Sequence, residues 1–238
     1  MPSDGPVADI LEAVEDGAGI PVTVVALPHD FAGAMRRDQR HVYIFVNGVE
    51  PHVRQRFTLA HELGHFRLGH ATVFDTVADL RGRDPQEVEA NEFAGEFLVP
   101  RAAIDAWMER NGDPRVDLEL VVRVARHFGV SAPVARIRLE KAGRLRGRAK
   151  TQVAQAIAAR EHTSLAYMLS LGEFHDSLSA ISPSDLPRLP VVVQRQIKTV
   201  YAAGLASVEE LATRTRQDPG RLATELAGVN VAEGDPDF

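Results

Sequence analysis

The sequence predicts an α+β fold in which a small sheet lies near the N-terminus and helices fill the remainder. Two short stretches rich in valine and aromatic residues, 20–27 and 41–46, have the length and composition of strands. Between them and residue 70, Phe57, Leu59, Ala60, Leu63, Phe66 and Leu68 make one segment apolar on more than one side, the mark of a buried helix. From Arg101 onward, apolar residues at helical spacing recur between capping and stop signals.

Taken in order, residues 7–17 have apolar positions at helical spacing and close on Gly17, so they predict a helix. The strand 20–27 follows. Gly33 and the charged run 36–40 predict a hairpin loop, and 41–46 a second strand ended by Asn47-Gly48. After the buried helix comes a polar, helix-poor stretch from 71 to 84. Asp84, Pro85 and Glu87 then form an N-cap, first-turn proline and capping-box arrangement, opening a helix that Pro100 closes. A short helix over 101–111 carries Trp107, the only tryptophan, as a core residue.

Residues 118–128, the Gly129-Val-Ser131 turn and 132–142 resemble a helix-turn-helix. The polar, glycine-containing run 143–152 marks the expected boundary. Two domains are therefore expected: 1–147, including the helix-turn-helix-like segment 118–145, and 148–238, a helical module suited to partner docking. Within the second, 152–162 is helical and 182–190 is a proline-rich connector. Residues 194–203 form a helix, Ser207 to Glu210 are a capping box, 219–226 is a last helix and 229–238 is a tail.

Composition narrows the function. The chain has 238 residues, 45% hydrophobic and 25% charged, as ordinary globular proteins do. With Cys 0, thiolate metal sites and disulfides are excluded, which fits a cytoplasmic protein. The start lacks the basic and apolar regions of a signal peptide, and no apolar run approaches a membrane span. A net charge of -6 argues against wholesale coating of nucleic acid.

Chemistry concentrates in Phe57-Thr-Leu-Ala-His-Glu-Leu-Gly-His65. On a helix, His61 and His65 lie one turn apart on one face, a spacing that lets two imidazoles reach one zinc ion. Glu62 can lean toward the open side of such a metal and take a proton from water. Burying two histidines and a glutamate in an apolar helix is costly unless they are paired or bound to metal. Gly64 costs helix propensity, so substrate or backbone is expected to pass close by. Together with the small sheet, this helix would form a zincin-like core.

A further ligand is expected from the helix after Pro85, where Glu87, Glu89 and Glu92 compete. Glu87 stands four residues before Asn91, so it could bind metal while the amide holds a ligand histidine. Glu89 is the second choice, as ligand or as a carboxylate behind one, and Glu96 faces solvent. Tyr43, His52 and His70 are candidates for oxyanion stabilisation. His70, five residues past His65, lies off the ligand face, where it could bind substrate or shape the pocket.

These paired motifs, with the preceding Arg54 and Arg56 and with Glu87-x-Glu-Ala-Asn-x-Phe-Ala-x-x-Phe-Leu-x-Pro100, resemble the ImmA/IrrE family of metallo-endopeptidases. The resemblance runs from about residue 20 to 145. It implies Zn2+ held by His61, His65 and Glu87, and Glu62 as catalytic base. It also implies a protein substrate, a helix-turn-helix transcriptional repressor whose cleavage relieves repression under stress or in mobile elements. In that family a segment like 128–139 belongs to the peptidase domain, which sets the arginines of 136–148 on a solvated face. The competing readings are a non-cleaving, metal-bearing regulator or antitoxin-type partner, and a DNA-binding protein using 118–150.

Overall fold

The computed structural model describes residues 6–7, 9–38, 41–70, 73–76, 84–173, 176 and 186–230, with 73–76 by their backbone alone. Helix α1 (Ile10–Glu15) starts at Asp9, whose carboxylate accepts from the backbone N–H groups of Leu11 and Glu12. Strands β1 (Val22–Val25), β2 (Phe31–Arg37), β3 (Val42–Asn47) and β4 (Val73–Thr76) form one sheet in the order β1-β3-β2-β4. β1 runs parallel to β3, while β2 is antiparallel to both β3 and β4.

The segment expected to be a hairpin loop is thus a central strand. Gly33 and Arg36 carry weak strand propensity, but β2 pairs on both sides, and nonlocal pairing outweighs composition. Asn47 secures the turn before it: its side-chain oxygen accepts from the Leu27 N–H, and its amide donates to the Phe31 and Pro28 carbonyls. β4 lies inside the stretch expected to be irregular; residues 71–72 and 77–83 of that stretch fall outside those described.

Helix α2 (His52–Leu68) lies on the sheet, where Leu59 and Leu63 join Val22, Val24, Met35, Ile44 and Val46 in the main core. Gly69, at φ 78°, ends the helix in the left-handed conformation that glycine adopts at little cost. Helix α3 (Pro85–Leu98) begins at its Asp84 cap and first-turn proline. The expected capping box is replaced, because the Glu87 carboxylate turns to His61 and His65.

Helices α4 (Arg101–Arg110), α5 (Leu118–Phe128) and α6 (Ala132–Lys141) complete the same core. α5 and α6 flank Gly129 at φ 64°, as the helix-turn-helix pattern required. Arg56 of α2 donates to the Gly129 carbonyl at 3.1 Å and to the Val7 carbonyl at 2.8 Å. Desolvation lowers its pKa and Asp9 opposes that shift. Of the basic residues of α6, Arg138 looks inward: 2% exposed, it donates to the Val99 carbonyl and pairs with Glu92 and Glu96, while Lys141 pairs with Glu92 at the surface and Arg136 with Glu140 of its own helix. Glu96, expected to face solvent, is half exposed and engaged by Arg138.

The core also continues past the expected boundary at 147. Val153 of α7 (Gly147–Ala158) is 3% exposed within it, and Ala166 of α8 (Glu161–Met168) packs with Leu171 on Val122 of α5. A separate small core of Ile197, Leu211, Ala212, Leu222 and Leu226 unites α9 (Val191–Ala202), α10 (Val208–Thr215) and α11 (Pro219–Leu226). The capping box of Ser207 and Glu210 opens α10 as expected. Residues 182–185 of the connector and 231–238 of the tail lie outside those described. Leu186 still packs on the main core and Leu189 on the small one, so packing divides the described chain between them. Arg188 crosses that division, exchanging two backbone hydrogen bonds of 2.9 Å with Val24 and pairing with Glu15 at 2.6 Å. No helix among the described residues is long and apolar enough to cross a membrane.

Candidate metal centre

From Thr58 to His65 every residue of α2 is buried, and His61, Glu62 and His65 are all 0% exposed. α2 meets α3 at Gly64. A Cβ there would stand 3.1 Å from the Phe93 ring and 3.2 Å from the Ala90 backbone, so the closely passing element foreseen for Gly64 is α3. This approach brings Glu87 to the two histidines: its carboxylate oxygens lie 3.2 Å from His61 Nε2 and 3.4 Å from His65 Nε2. The two Nε2 atoms are 2.9 Å apart. Three residues, one ligand atom each, thus gather within 4.8 Å of one another.

Hydrogen bonds behind the rings define what those atoms offer. His61 Nδ1 is 3.1 Å from Asn91 Oδ1, an acceptor, so the ring donates from Nδ1 and its Nε2 carries a lone pair. His65 Nδ1 is 2.8 Å from His70 Nδ1, and His70 Nε2 is 3.3 Å from Glu89 Oε2. The carboxylate accepts from His70 Nε2, so His70 Nδ1 accepts from His65 Nδ1, and His65 Nε2 also carries a lone pair. Two lone pairs and a carboxylate converging away from water repel one another unless a cation lies between them. Donors around a tetrahedral zinc at about 2.0–2.1 Å stand about 3.4 Å apart, close to the separations here. The residues fit a divalent metal.

Glu62 lies against the sheet. Its Oε1 is 3.0 Å from where a Cβ of residue 33 would be, and Thr58 Cγ2 is 2.5 Å from the same point, so only glycine lets β2 cross here. Glu89, weighed as a ligand, stands behind His70 instead. His70, expected off the ligand face, is brought back beside it: α2 stops at Leu68, and Gly69 turns His70 so that its N–H donates to the His65 carbonyl at 3.0 Å. The signal was the glycine one residue after the helix. His52 opens α2 nine residues before His61, about 13 Å along the axis, and Tyr43 pairs with Arg36 within the sheet. Glu92 faces Arg138 and Lys141 rather than the histidines.

An α+β domain whose His-Glu-x-x-His helix meets a glutamate from the next helix belongs to the metallopeptidase class. More narrowly, the chain belongs to the Peptidase_M78 family, whose IrrE N-terminal-like domain matches residues 18–140. It is also 38% identical over 76 residues to "Uncharacterized immunity region protein 2" of Bacillus phage phi105, across 31% of this chain and 48% of that protein. The chain spans about half the length of that curated relative.

Proposed function

We propose that this protein is a zinc-dependent endopeptidase that cuts a helix-turn-helix transcriptional repressor and so relieves repression. The convergence of His61 Nε2, His65 Nε2 and the Glu87 carboxylate in one buried point carries the reading. Bound there, zinc supplies Lewis-acid activation of water and of a peptide carbonyl. His61 and His65 give neutral nitrogen ligands, and Glu87 offsets one unit of the metal's charge. Glu62, adjacent to the first ligand, accepts the proton from the attacking water and passes it to the leaving amine. The membership of residues 18–140 in a peptidase family supports hydrolysis over mere metal storage. The immunity-region name of the phage relative supports a repressor as partner. The burial of Arg138, and the engagement of Arg136 and Lys141 by Glu140 and Glu92, favour this reading over DNA binding by the helix-turn-helix-like segment.

The test uses zinc-loaded full-length protein and a helix-turn-helix repressor encoded beside it, with products identified by mass spectrometry. Cleavage by the parent chain and none by Glu62→Gln, at equal zinc content, is the expected result. Stable complex formation without cleavage by either would favour a non-cleaving regulator.

A further inference from the structure

We propose that His70, held by Glu89, is a positioning residue that fixes the tautomer and orientation of His65, so that His65 presents Nε2 to the metal. The inference rests on the metal-site reading above and extends it. His70 is 7% exposed, yet it lies outside α2 and outside the motif that defines the ligands. Three contacts determine its place. Gly69 reverses the chain at φ 78°, the His70 N–H closes on the His65 carbonyl at 3.0 Å, and the two rings meet at 65° with centroids 4.9 Å apart. The Nδ1 atoms then stand 2.8 Å apart, a distance that requires one proton between them.

Glu89 decides which ring supplies that proton. Its carboxylate can only accept, so His70 donates from Nε2 and keeps a lone pair at Nδ1. That lone pair receives the His65 Nδ1–H. Without it, an imidazole exchanges its proton between its two nitrogens, and any population with the proton on Nε2 cannot bind metal there. Asn91 performs the equivalent service for His61. Glu87, Glu89 and Asn91 all belong to α3, so one helix supplies a carboxylate oriented on the metal and a support behind each histidine. Outer partners of this kind are worth about 10–100-fold in metal affinity.

The test measures zinc affinity of the full chain by chelator competition, and reads the His65 ring tautomer in the metal-free chain by 15N–1H correlation. His70→Ala is expected to weaken zinc binding about 10–100-fold and to give mixed His65 tautomers. His70→Asn, which keeps an acceptor near the Nδ1 position, should restore most of both. If His70→Ala binds zinc as tightly as the parent, or if His65 carries its proton on Nε2 in the parent, the proposal is overturned. Should His70→Ala fail to fold, the comparison of His70→Asn with Glu89→Ala decides, since Glu89→Ala alone leaves His70 free to donate from Nδ1. A parent chain that binds no zinc would overturn the metal reading instead, and the tautomer measurement would still judge His70.

Discussion

Helices α2 and α3 meet over Gly64 with their polar residues turned inside, whereas α9, α10 and α11 bury only apolar side chains: Ile197, Leu211, Ala212, Leu222 and Leu226. The first pair encloses His61, Glu62, His65 and Glu87 in the largest core of the molecule. A buried imidazole or carboxylate costs stability unless something compensates it, so an arrangement of this type is retained for what it does. The second group has five buried residues and no such cluster among those described, and its cohesion is modest. The difference teaches where stability and chemistry reside: the site sits in the most deeply supported part of the chain, and the C-terminal helices form a separate, weaker unit fastened by residues 188 and 191.

The sharpest way to break this comparison is to remove the chemistry and keep the fold. Glu62→Gln should lower cleavage about 10²–10⁴-fold while zinc content, measured by metal analysis, stays near one per chain. His61→Ala should lose the metal as well. Normal zinc content in His61→Ala would mean that the cluster is not the metal site.

Next in size is Leu222→Ala, which empties the centre of the small core and should cost about 2–4 kcal/mol locally. Amide exchange should quicken across 191–229 and remain slow in α2 and α3, with zinc retained. Equal loss of protection in α2 would show that the two regions unfold as one unit.

Gly64→Ala sets two effects against each other. Alanine gains about 1 kcal/mol in helix propensity. The new methyl would stand 3.2 Å from the Ala90 backbone, and pushing α3 away costs about 1–3 kcal/mol. We expect a net fall in Tm together with weaker zinc binding, because the same displacement draws Glu87 from the histidines. An unchanged zinc affinity would separate helix spacing from ligand geometry.

The smallest expected effect is on pH dependence. His127 lies between the rings of Trp107 and Phe128, and burial, helped by Arg110, lowers its pKa. The unfolded chain then binds the proton more readily than the folded one, so this residue removes stability as pH falls below about 6.5 and contributes no loss above it. Thermal unfolding of His127→Gln should show a shallower decline between neutral and mildly acidic pH than the parent.

Legibility from sequence followed the range of the interactions. His61, Glu62 and His65 could be read together because helical spacing alone makes neighbours of them. Glu87 could be singled out through its four-residue spacing to Asn91, which the structure places on His61 Nδ1. β2 could not be read, since it holds a glycine, two arginines and no β-branched residue; partners on either side make it a strand. Gly33 acquires its reason only when β2 lies against Thr58 and Glu62. The role of His70 depended on where a helix stops, which moves by a residue or two on sequence signals alone. The boundary at 147 was drawn on polarity and glycine, but Leu145 and Val153 are buried on either side of it.

Arg188 has one more consequence. Among the described residues β1 stands at an edge of the sheet, and an edge strand presents backbone donors and acceptors to any extended chain that meets it. The bridge from Arg188 to Val24 occupies one such pair of groups, and the Arg188 guanidinium covers the Val22 carbonyl at 3.2 Å. Residues after the main core thereby blunt an edge that begins 166 positions earlier. A chain shortened before residue 188 would keep its metal ligands but expose a template for strand addition, and self-association would become its characteristic failure.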